Sequence, residues 1–111
     1  REAMPLLDHL QALRKVLQPI RDFQLKYGAR IYMGEFSAIR FAPGAAQYIQ
    51  DVIEIFEEYG WDWSYHAFRE WYNWSVEHDE NPHNNKPAEQ DTERKKILLK
   101  YFSKNVKPKF D

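Results

Sequence analysis

The chain has 111 residues, of which 43% are hydrophobic and 30% charged, and its formal net charge is -1. This length fits one small domain with a real core, and the near-neutral charge argues against nucleic acid or an anionic membrane as the main partner. The sequence contains no cysteine, which excludes disulfides and thiolate chemistry, and no run approaches the roughly 20 apolar residues of a membrane span.

The N-terminal segment has the pattern of an amphipathic helix over residues 5–27. Its apolar side chains recur at intervals of three and four residues, which indicates a packing face, and they are Leu6, Leu10, Leu13, Leu17 and Ile20. Pro19 lacks an N–H and clashes with the preceding turn, so we expect a kink or a break there, with Pro19 opening a second helix. Gly28 is the expected end of this segment.

Residues 29–36 are predicted to form the first strand. Their nearly continuous apolar character is typical of a parallel strand that is buried on both faces. Strand alternation places Ile31, Met33 and Glu35 on one face. Gly34 would let another backbone or a ligand approach closely.

A second amphipathic helix is predicted over residues 45–59, followed by a second strand over residues 61–68. The helix has an apolar side formed by Ile49, Val52, Ile53 and Phe56, and a mostly acidic side formed by Asp51, Glu54, Glu57 and Glu58. Gly60 is a suitable C-terminal stop. A strand, a helix and a second strand in this order predict a parallel crossover unit.

The remaining chain is predicted to be a long loop over residues 72–90 and a final helix. Asp91 or Thr92 can cap this helix, which would run to about Ser103. Its expected buried positions are Ile97, Leu98, Tyr101 and Phe102. The sequence pattern thus predicts only two strands. Because two parallel strands have two unpaired edges, further strands would come from another copy of the chain or from a longer parent.

Glu35 is the first candidate functional residue, because a carboxylate that follows apolar residues is costly unless it is paired or its pKa moves. It also lies at the carboxyl end of a parallel strand, where catalytic groups of α/β proteins are found. The structural alternative is an ion pair with Arg30 or Arg40. His66 could orient or protonate a carboxylate, or serve as a hydrogen-bonded structural residue.

Two further groups of residues are candidates for binding a sugar and for binding a metal ion. The aromatic segment 61–74 has flat faces beside hydrogen-bonding groups, which suit sugar rings. Core packing is the more common role of any single tryptophan, and the clustering favours sugar binding without deciding between the two. His78, Asp79, Glu80 and His83 resemble a metal cluster by residue type. Their spacing matches no strong ligand pattern, so the sequence favours a solvated loop there.

Three stretches, residues 17–24, 31–37 and 59–71, resemble the C-terminal quarter to third of glycoside hydrolase family 5, the cellulase family. The catalytic domains of this family are (β/α)8 barrels, and the resemblance runs from about Leu13 to Phe102. It implies an α/β fold that is a C-terminal fragment of a TIM barrel. Residues 30–36 and 61–68 would be strands seven and eight, and the three helices would be helices six to eight of the barrel.

By this similarity, Glu35 matches the catalytic nucleophile at the end of strand seven. Trp71 resembles the tryptophan that forms a platform under the sugar beside the cleaved bond, and His66 and Glu70 are candidates for contacting the substrate or orienting other groups. The family retains anomeric configuration by using a second carboxylic acid, which belongs to an Asn-Glu-Pro motif on strand four. The 111 residues contain no Asn-Glu-Pro.

The expected function is therefore part of a retaining glycoside hydrolase that cleaves β-1,4-glucan, or mannan as the nearest variant. Residues 1–111 would be a partial catalytic domain that needs no metal or organic cofactor and is inactive alone. The expected partner is a polysaccharide or oligosaccharide, not nucleic acid or a membrane, with self-association through the strand edges. The resemblance implies a secreted or extracytoplasmic parent. The alternatives are a non-catalytic carbohydrate-binding or assembly module and an interaction fragment that uses the leucine stripe.

Overall fold

The computed structural model describes residues 6–68 and 70–107 as a mixed α/β chain. Its elements in chain order are α1 (Leu6–Tyr27), β1 (Tyr32–Phe36), α2 (Ala45–Glu58), β2 (Asp62–Tyr65) and α3 (Glu93–Phe102). The predicted α/β class and the order of elements are confirmed. Residue 5, the predicted start of the first helix, and Arg69 lie outside the described residues. No helix in the described ranges has the length and apolar character needed to cross a membrane.

The described chain forms two compact units. The first, here called the strand unit, comprises the described residues up to Phe36 together with Gln50–His66. The second, here called the loop unit, comprises Ser37–Ile49 together with the described residues from Ala67 onward. Glu35 and His66 therefore belong to the strand unit, whereas Glu70 and Trp71 belong to the loop unit.

Helix α1 is continuous through Pro19, so the predicted break is wrong. A proline removes one backbone hydrogen bond, and long helical stretches on both sides outweigh that loss. Leu17 is buried, and Leu10, Leu13 and Ile20 are half-buried, while the side chain of Leu6 lies outside the described part of the stripe. The predicted end at Gly28 is confirmed: the φ angle of Gly28 is +61°, and the Ala29 N–H donates to the Gln24 carbonyl oxygen at 3.2 Å.

The predicted apolar face of α2 is confirmed. Ile49, Val52, Ile53 and Phe56 are all buried. Ile55 is also buried, and so is Asp51, although the sequence predicted that it would lie on the polar side. The buried surface of α2 is thus wider than one amphipathic stripe, because residues on more than one side of the helix pack against other segments.

The end of α2 is a Schellman motif centred on Gly60. The φ angle of Gly60 is +70°, the Gly60 N–H donates to Glu57 O at 3.2 Å and the Trp61 N–H donates to Phe56 O at 2.9 Å. The same corner contacts α1, because the indole N–H of Trp61 donates to Gln24 Oε1 at 2.7 Å. This corner fixes the start of β2 relative to α1 within the strand unit.

Strands β1 and β2 are parallel, as predicted, but both are shorter than predicted. The last backbone hydrogen bond of the pair joins His66 N–H to Phe36 O at 2.9 Å, and beyond it the two segments no longer pair. The prediction that the first strand is buried on both faces is wrong for the described chain, since Tyr32 is 63% exposed and Glu35 is exposed. Phe36 makes the apolar contact, packing edge-on against Phe56 with ring centroids 5.3 Å apart.

Helix α3 begins after Thr92, whose hydroxyl oxygen accepts a hydrogen bond from Lys95 N–H at 3.1 Å. The predicted cap is confirmed at Thr92. Leu98 and Tyr101 are buried as predicted and Ile97 is half-buried. Phe102 is exposed, so its predicted burial is wrong, and Arg94 takes a buried position instead.

Candidate functional site

Glu35 lies on an irregularity of the parallel strand pair. Met33 pairs with Trp63 and Phe36 pairs with Tyr65, so three steps along β1 correspond to two steps along β2. This is a β-bulge over Gly34 and Glu35, a feature that redirects side chains and is frequent beside active sites. The predicted alternation of faces therefore holds only as far as Met33.

A short chain of hydrogen bonds closes the bulge. The Ser64 hydroxyl donates to the Gly34 carbonyl oxygen at 2.9 Å, and the Tyr32 and Ser64 hydroxyl oxygens are 2.8 Å apart. Because the Ser64 proton is committed to Gly34, the Tyr32 hydroxyl is the donor in the second bond. A Cβ atom on Gly34 would lie 3.2 Å from Tyr32 Cε2, so glycine lets the tyrosine ring fold over the bulge. The close approach that the sequence predicted at Gly34 is made by Tyr32.

The carboxylate of Glu35 is exposed, and no described residue donates a hydrogen bond or forms an ion pair with it. The predicted alternatives, an ion pair with Arg30 or with Arg40, are wrong. Arg30 Nε is 2.7 Å from Asp62 Oδ2, and the Arg40 guanidinium binds acceptors of the loop unit. Within the described chain, Glu35 therefore has no structural partner that explains it.

His66 lies directly after β2 and is half-buried. Its backbone N–H binds the carbonyl oxygen of Phe36, the residue that follows Glu35. The structure thus brings the backbones of two predicted site residues, Glu35 and His66, to the same end of the strand pair. This is the carboxyl end of both strands, as the sequence predicted.

Trp71 lies in a turn of the loop unit. Two consecutive backbone bonds define the turn Trp71–Ser75, from Trp74 N–H to Trp71 O at 3.2 Å and from Ser75 N–H to Tyr72 O at 3.3 Å. The rings of Trp71 and Trp74 are perpendicular, with centroids 4.4 Å apart, and Trp71 remains 39% exposed. Glu70, which precedes the turn, is also exposed. The turn therefore carries a partly exposed indole, and an exposed glutamate precedes it in the chain.

Arg40 supports this turn from within the loop unit. It is only 1% exposed, and its guanidinium donates to the carbonyl oxygens of Asp79 and Asn81, both at 2.8 Å. Its backbone N–H donates to the Asn73 carbonyl oxygen at 2.7 Å, and its guanidinium carbon lies 5.9 Å from the centre of the Tyr72 ring. A residue that precedes α2 thus joins the aromatic turn to the segment around residues 79–82.

Arg94 supports the other end of the turn. This arginine of α3 is 3% exposed and donates to the Ser75 carbonyl oxygen at 2.8 Å and to the His78 carbonyl oxygen. His78 is itself buried, with its Nδ1 atom 2.9 Å from the Ser75 hydroxyl oxygen. The predicted solvated loop is therefore anchored at His78 by buried polar bonds.

Two of the four residues that resemble metal ligands by type, His78 and Asp79, make side-chain hydrogen bonds within the loop unit. Asp79 accepts hydrogen bonds from the Asn84 side chain at 2.8 Å and from the Asn81 backbone at 2.9 Å, and these bonds lower its pKa. Arg40 lies 3.6 Å from the same carboxylate and lowers this pKa further. The described residues contain no group of three or more histidine or acidic side chains arranged to hold a metal ion.

The lowered pKa of Asp79 predicts a specific acid sensitivity. A carboxylate with a depressed folded-state pKa stabilises the fold above its ordinary value, 3.8, and this contribution is lost as the pH falls through the lower folded value. We expect Asp79→Asn to be less stable than the wild type at pH 7 and to lose less stability on acidification below pH 3.8. Urea unfolding at several pH values measures this difference. Glu80→Gln, an adjacent exposed change, should follow the wild-type pH profile, and a wild-type profile for Asp79→Asn would contradict the prediction.

A pocket of about 910 Å³ opens elsewhere in the loop unit, between the start of α2 and the start of α3. Its lining includes Phe41, the acidic residues Asp79, Glu80, Asp91 and Glu93, and the two buried arginines Arg40 and Arg94. Neither Trp71 nor Glu70 lines it. Phe41 is the one aromatic residue among the described residues of this lining, whereas the aromatic turn contains Trp71, Tyr72 and Trp74. The turn is therefore the better candidate for stacking on a sugar.

The structural roles of four residues at the candidate site were not predicted from the sequence. Tyr32 and Ser64 hold the bulge under Glu35, and Arg40 and Arg94 hold the turn that carries Trp71. A weak signal existed for Arg40, which is flanked by Ile39 and Phe41 and thus has an apolar setting. The described geometry defines a small mixed α/β chain with an exposed carboxylate in one unit and an exposed aromatic turn in the other.

Comparison with known proteins adds no further assignment: no protein-family model matches the chain, and a search of curated proteins finds no significant match.

Proposed function

We propose that this chain is the C-terminal part of a retaining β-glycanase barrel of the family 5 type, with Glu35 as its nucleophile. The observation that carries the proposal is the state of Glu35, an exposed carboxylate on a bulge at the carboxyl end of a parallel strand. No described residue pairs with it. A β-bulge at the carboxyl end of a parallel strand is frequent beside active sites, and this position supports a chemical role for Glu35.

In the proposed reaction, a Glu35 carboxylate oxygen attacks the anomeric carbon and the glycosidic oxygen leaves. A second carboxylic acid, roughly 5 Å from the first, protonates the leaving oxygen and then activates water to release the sugar. These steps move protons and form one covalent bond, so two carboxylates suffice. The acid is expected outside these 111 residues, because they contain no Asn-Glu-Pro.

The aromatic turn supports a carbohydrate substrate. An indole face stacks on the axial C–H groups of a sugar ring, and neighbouring polar groups bind the hydroxyls. Trp71 is partly exposed and braced by Trp74, while Glu70 lies next to it in the chain. In this proposal His66, directly after β2, and Glu70, in the loop unit, contact the substrate or orient other groups.

The strand pair supports a barrel that is completed by other segments. In the described chain β1 and β2 form a two-stranded sheet, and such a parallel pair is marginal without further strands. Tyr32 on β1 is exposed, as expected if more structure covers it. The remaining strands would come from the rest of the barrel or from a second copy of this chain.

The proposal is tested by complementation. The chain is combined with a family 5 barrel that lacks its own C-terminal quarter but retains the Asn-Glu-Pro glutamate, and release of reducing ends from soluble β-1,4-glucan is measured. We expect hydrolysis with the wild-type chain and with Glu57→Ala, an exposed glutamate of α2, but not with Glu35→Ala. Hydrolysis that survives Glu35→Ala, or hydrolysis by the 111-residue chain alone, would contradict the proposal.

A non-catalytic carbohydrate-binding module is the second candidate. It is favoured by the same exposed turn together with the absence of an Asn-Glu-Pro motif from the 111 residues. This reading predicts binding of cello-oligosaccharides that depends on Trp71 and no gain of hydrolysis in the complementation assay. The assay therefore separates the two candidates.

A further inference from the structure

We propose that Arg40 and Arg94 are positioning residues that set the orientation of the Trp71 ring, and through it the affinity for sugar. This inference rests on the proposed function, because it gives the ring a ligand. Neither arginine is expected to touch the sugar, since their side chains are almost fully buried. Their effect passes through the turn Trp71–Ser75.

The two arginines hold the turn at different points. Arg40 binds the Asn73 carbonyl oxygen through its backbone N–H and places its guanidinium against the Tyr72 ring. Arg94 binds the Ser75 carbonyl oxygen at 2.8 Å. Backbone atoms in the middle and at the end of the turn are therefore tied to two separate segments, one before α2 and one in α3.

Both guanidiniums also bind the chain that follows the turn. Arg40 reaches the carbonyl oxygens of Asp79, Asn81 and Pro82, the last at 3.4 Å, and Arg94 reaches that of His78. A guanidinium offers five donors in a planar fork, whereas a lysine ammonium is a single point of charge and cannot reach the same set of acceptors. A lysine at position 40 keeps the charge and the backbone bond to Asn73 but loses the forked contacts with the segment after the turn. A lysine at position 94 loses the paired bonds to Ser75 and His78.

The free-energy cost of burying two charged guanidinium groups points to a role beyond closing the loop. Two charged side chains are removed from water, and Arg40 Nε has no hydrogen-bond acceptor among the described residues. The segment that they fix carries the exposed ring of Trp71, which packs edge-on against Trp74 of the same turn. Rigid support of this kind lowers the ordering cost of binding, because the aromatic face is already in place.

The test compares Arg40→Lys and Arg94→Lys with Leu98→Ala, which removes a buried apolar side chain of the same unit. Urea midpoints identify whether the variants are comparably destabilised, and far-ultraviolet circular dichroism confirms that they fold. Cellohexaose affinity and the indole N–H resonance of Trp71, assigned with Trp71→Phe, are then measured. We expect each arginine variant to bind about 5- to 10-fold more weakly and to shift the Trp71 resonance, while Leu98→Ala changes neither.

Equal affinity and an unshifted Trp71 resonance in the arginine variants would overturn the inference, as would equal effects in Leu98→Ala. If an arginine variant fails to fold, Asp79→Asn provides a milder change, since it weakens the Arg40 ion pair at an accessible side chain. It should shift the Trp71 resonance in the same direction by a smaller amount. If the wild-type chain does not bind cellohexaose, the proposed function fails, and the resonance still decides whether the arginines position the ring.

Discussion

Glu35→Ala is expected to reduce hydrolysis in the complemented enzyme by about 10⁴-fold or more, as is typical when a covalent nucleophile is removed. The carboxylate oxygen that attacks the anomeric carbon in the proposed mechanism is lost. Substrate affinity should change little, because Glu35 contributes bond formation more than binding. Initial rates on soluble β-1,4-glucan with the wild-type chain and with Glu35→Ala measure the effect.

Azide offers a specific check of the nucleophile assignment. In Glu35→Ala, a small anion can occupy the space left by the carboxylate and attack the anomeric carbon of a dinitrophenyl β-cellobioside. The C–O bond to dinitrophenolate breaks, and this leaving group needs no proton. The product should be the α-cellobiosyl azide, because a single displacement inverts the configuration.

The matched control is Glu57→Ala, which removes an exposed glutamate of the same unit. It should retain wild-type hydrolysis and form no glycosyl azide. Rescue of Glu35→Ala with retained configuration, or activity equal to that of the control, would show that another group is the nucleophile. Those results would move the catalytic role away from β1.

Local signals in the sequence predicted the ends of elements well. Gly28 and Gly60 both have positive φ angles after helices, and the Thr92 hydroxyl caps α3. In each case the backbone needs a residue type that few others can replace, so the prediction depends on one or two neighbours. The apolar face of α2 was equally clear, because Val52, Ile53 and Phe56 repeat at helical spacing.

Features that depend on distant partners were not predictable in the same way. The bulge at Gly34 and Glu35 arises from pairing with β2, and the alternation rule contains no information about that register. Pro19 shows the converse error, in which a strong local rule was outweighed by the rest of the helix. Burial of Asp51 and Arg94 likewise reflects contacts with other segments.

The sequence suggested which residues belong to the candidate site, but not which residues hold them in place. Glu35 and Trp71 are both exposed. The exposure of Glu35 removes the desolvation cost that singled it out in the sequence, so its position at the carboxyl end of β1 carries the proposal instead. The loop over residues 72–90 was expected to be polar and irregular, but it contains a buried histidine and is held by two buried arginines from outside it, Arg40 and Arg94. Such anchors bind backbone carbonyl groups, which every residue possesses, so the sequence of the loop carries little trace of them.

Trp71→Ala is expected to weaken binding of cellohexaose by about 10- to 100-fold, equivalent to about 1.4–2.8 kcal/mol. The substitution removes the exposed indole face and leaves Trp74 without its perpendicular partner. Trp71→Phe keeps a smaller flat face and should give an intermediate affinity. Isothermal titration calorimetry measures the cellohexaose affinity of all three proteins. The affinity should be highest for the wild type, lower for Trp71→Phe and lowest for Trp71→Ala.

Phe41→Ala is the matched control, because Phe41 is a similarly exposed aromatic residue of the same unit. It lines the acidic pocket instead of the aromatic turn. Unchanged affinity in Phe41→Ala together with a loss in Trp71→Ala would assign sugar stacking to the turn. The reverse result would assign sugar stacking to the pocket, whose lining also includes Arg40 and Arg94, and any effect of these arginines on affinity would then act through the pocket and not through Trp71.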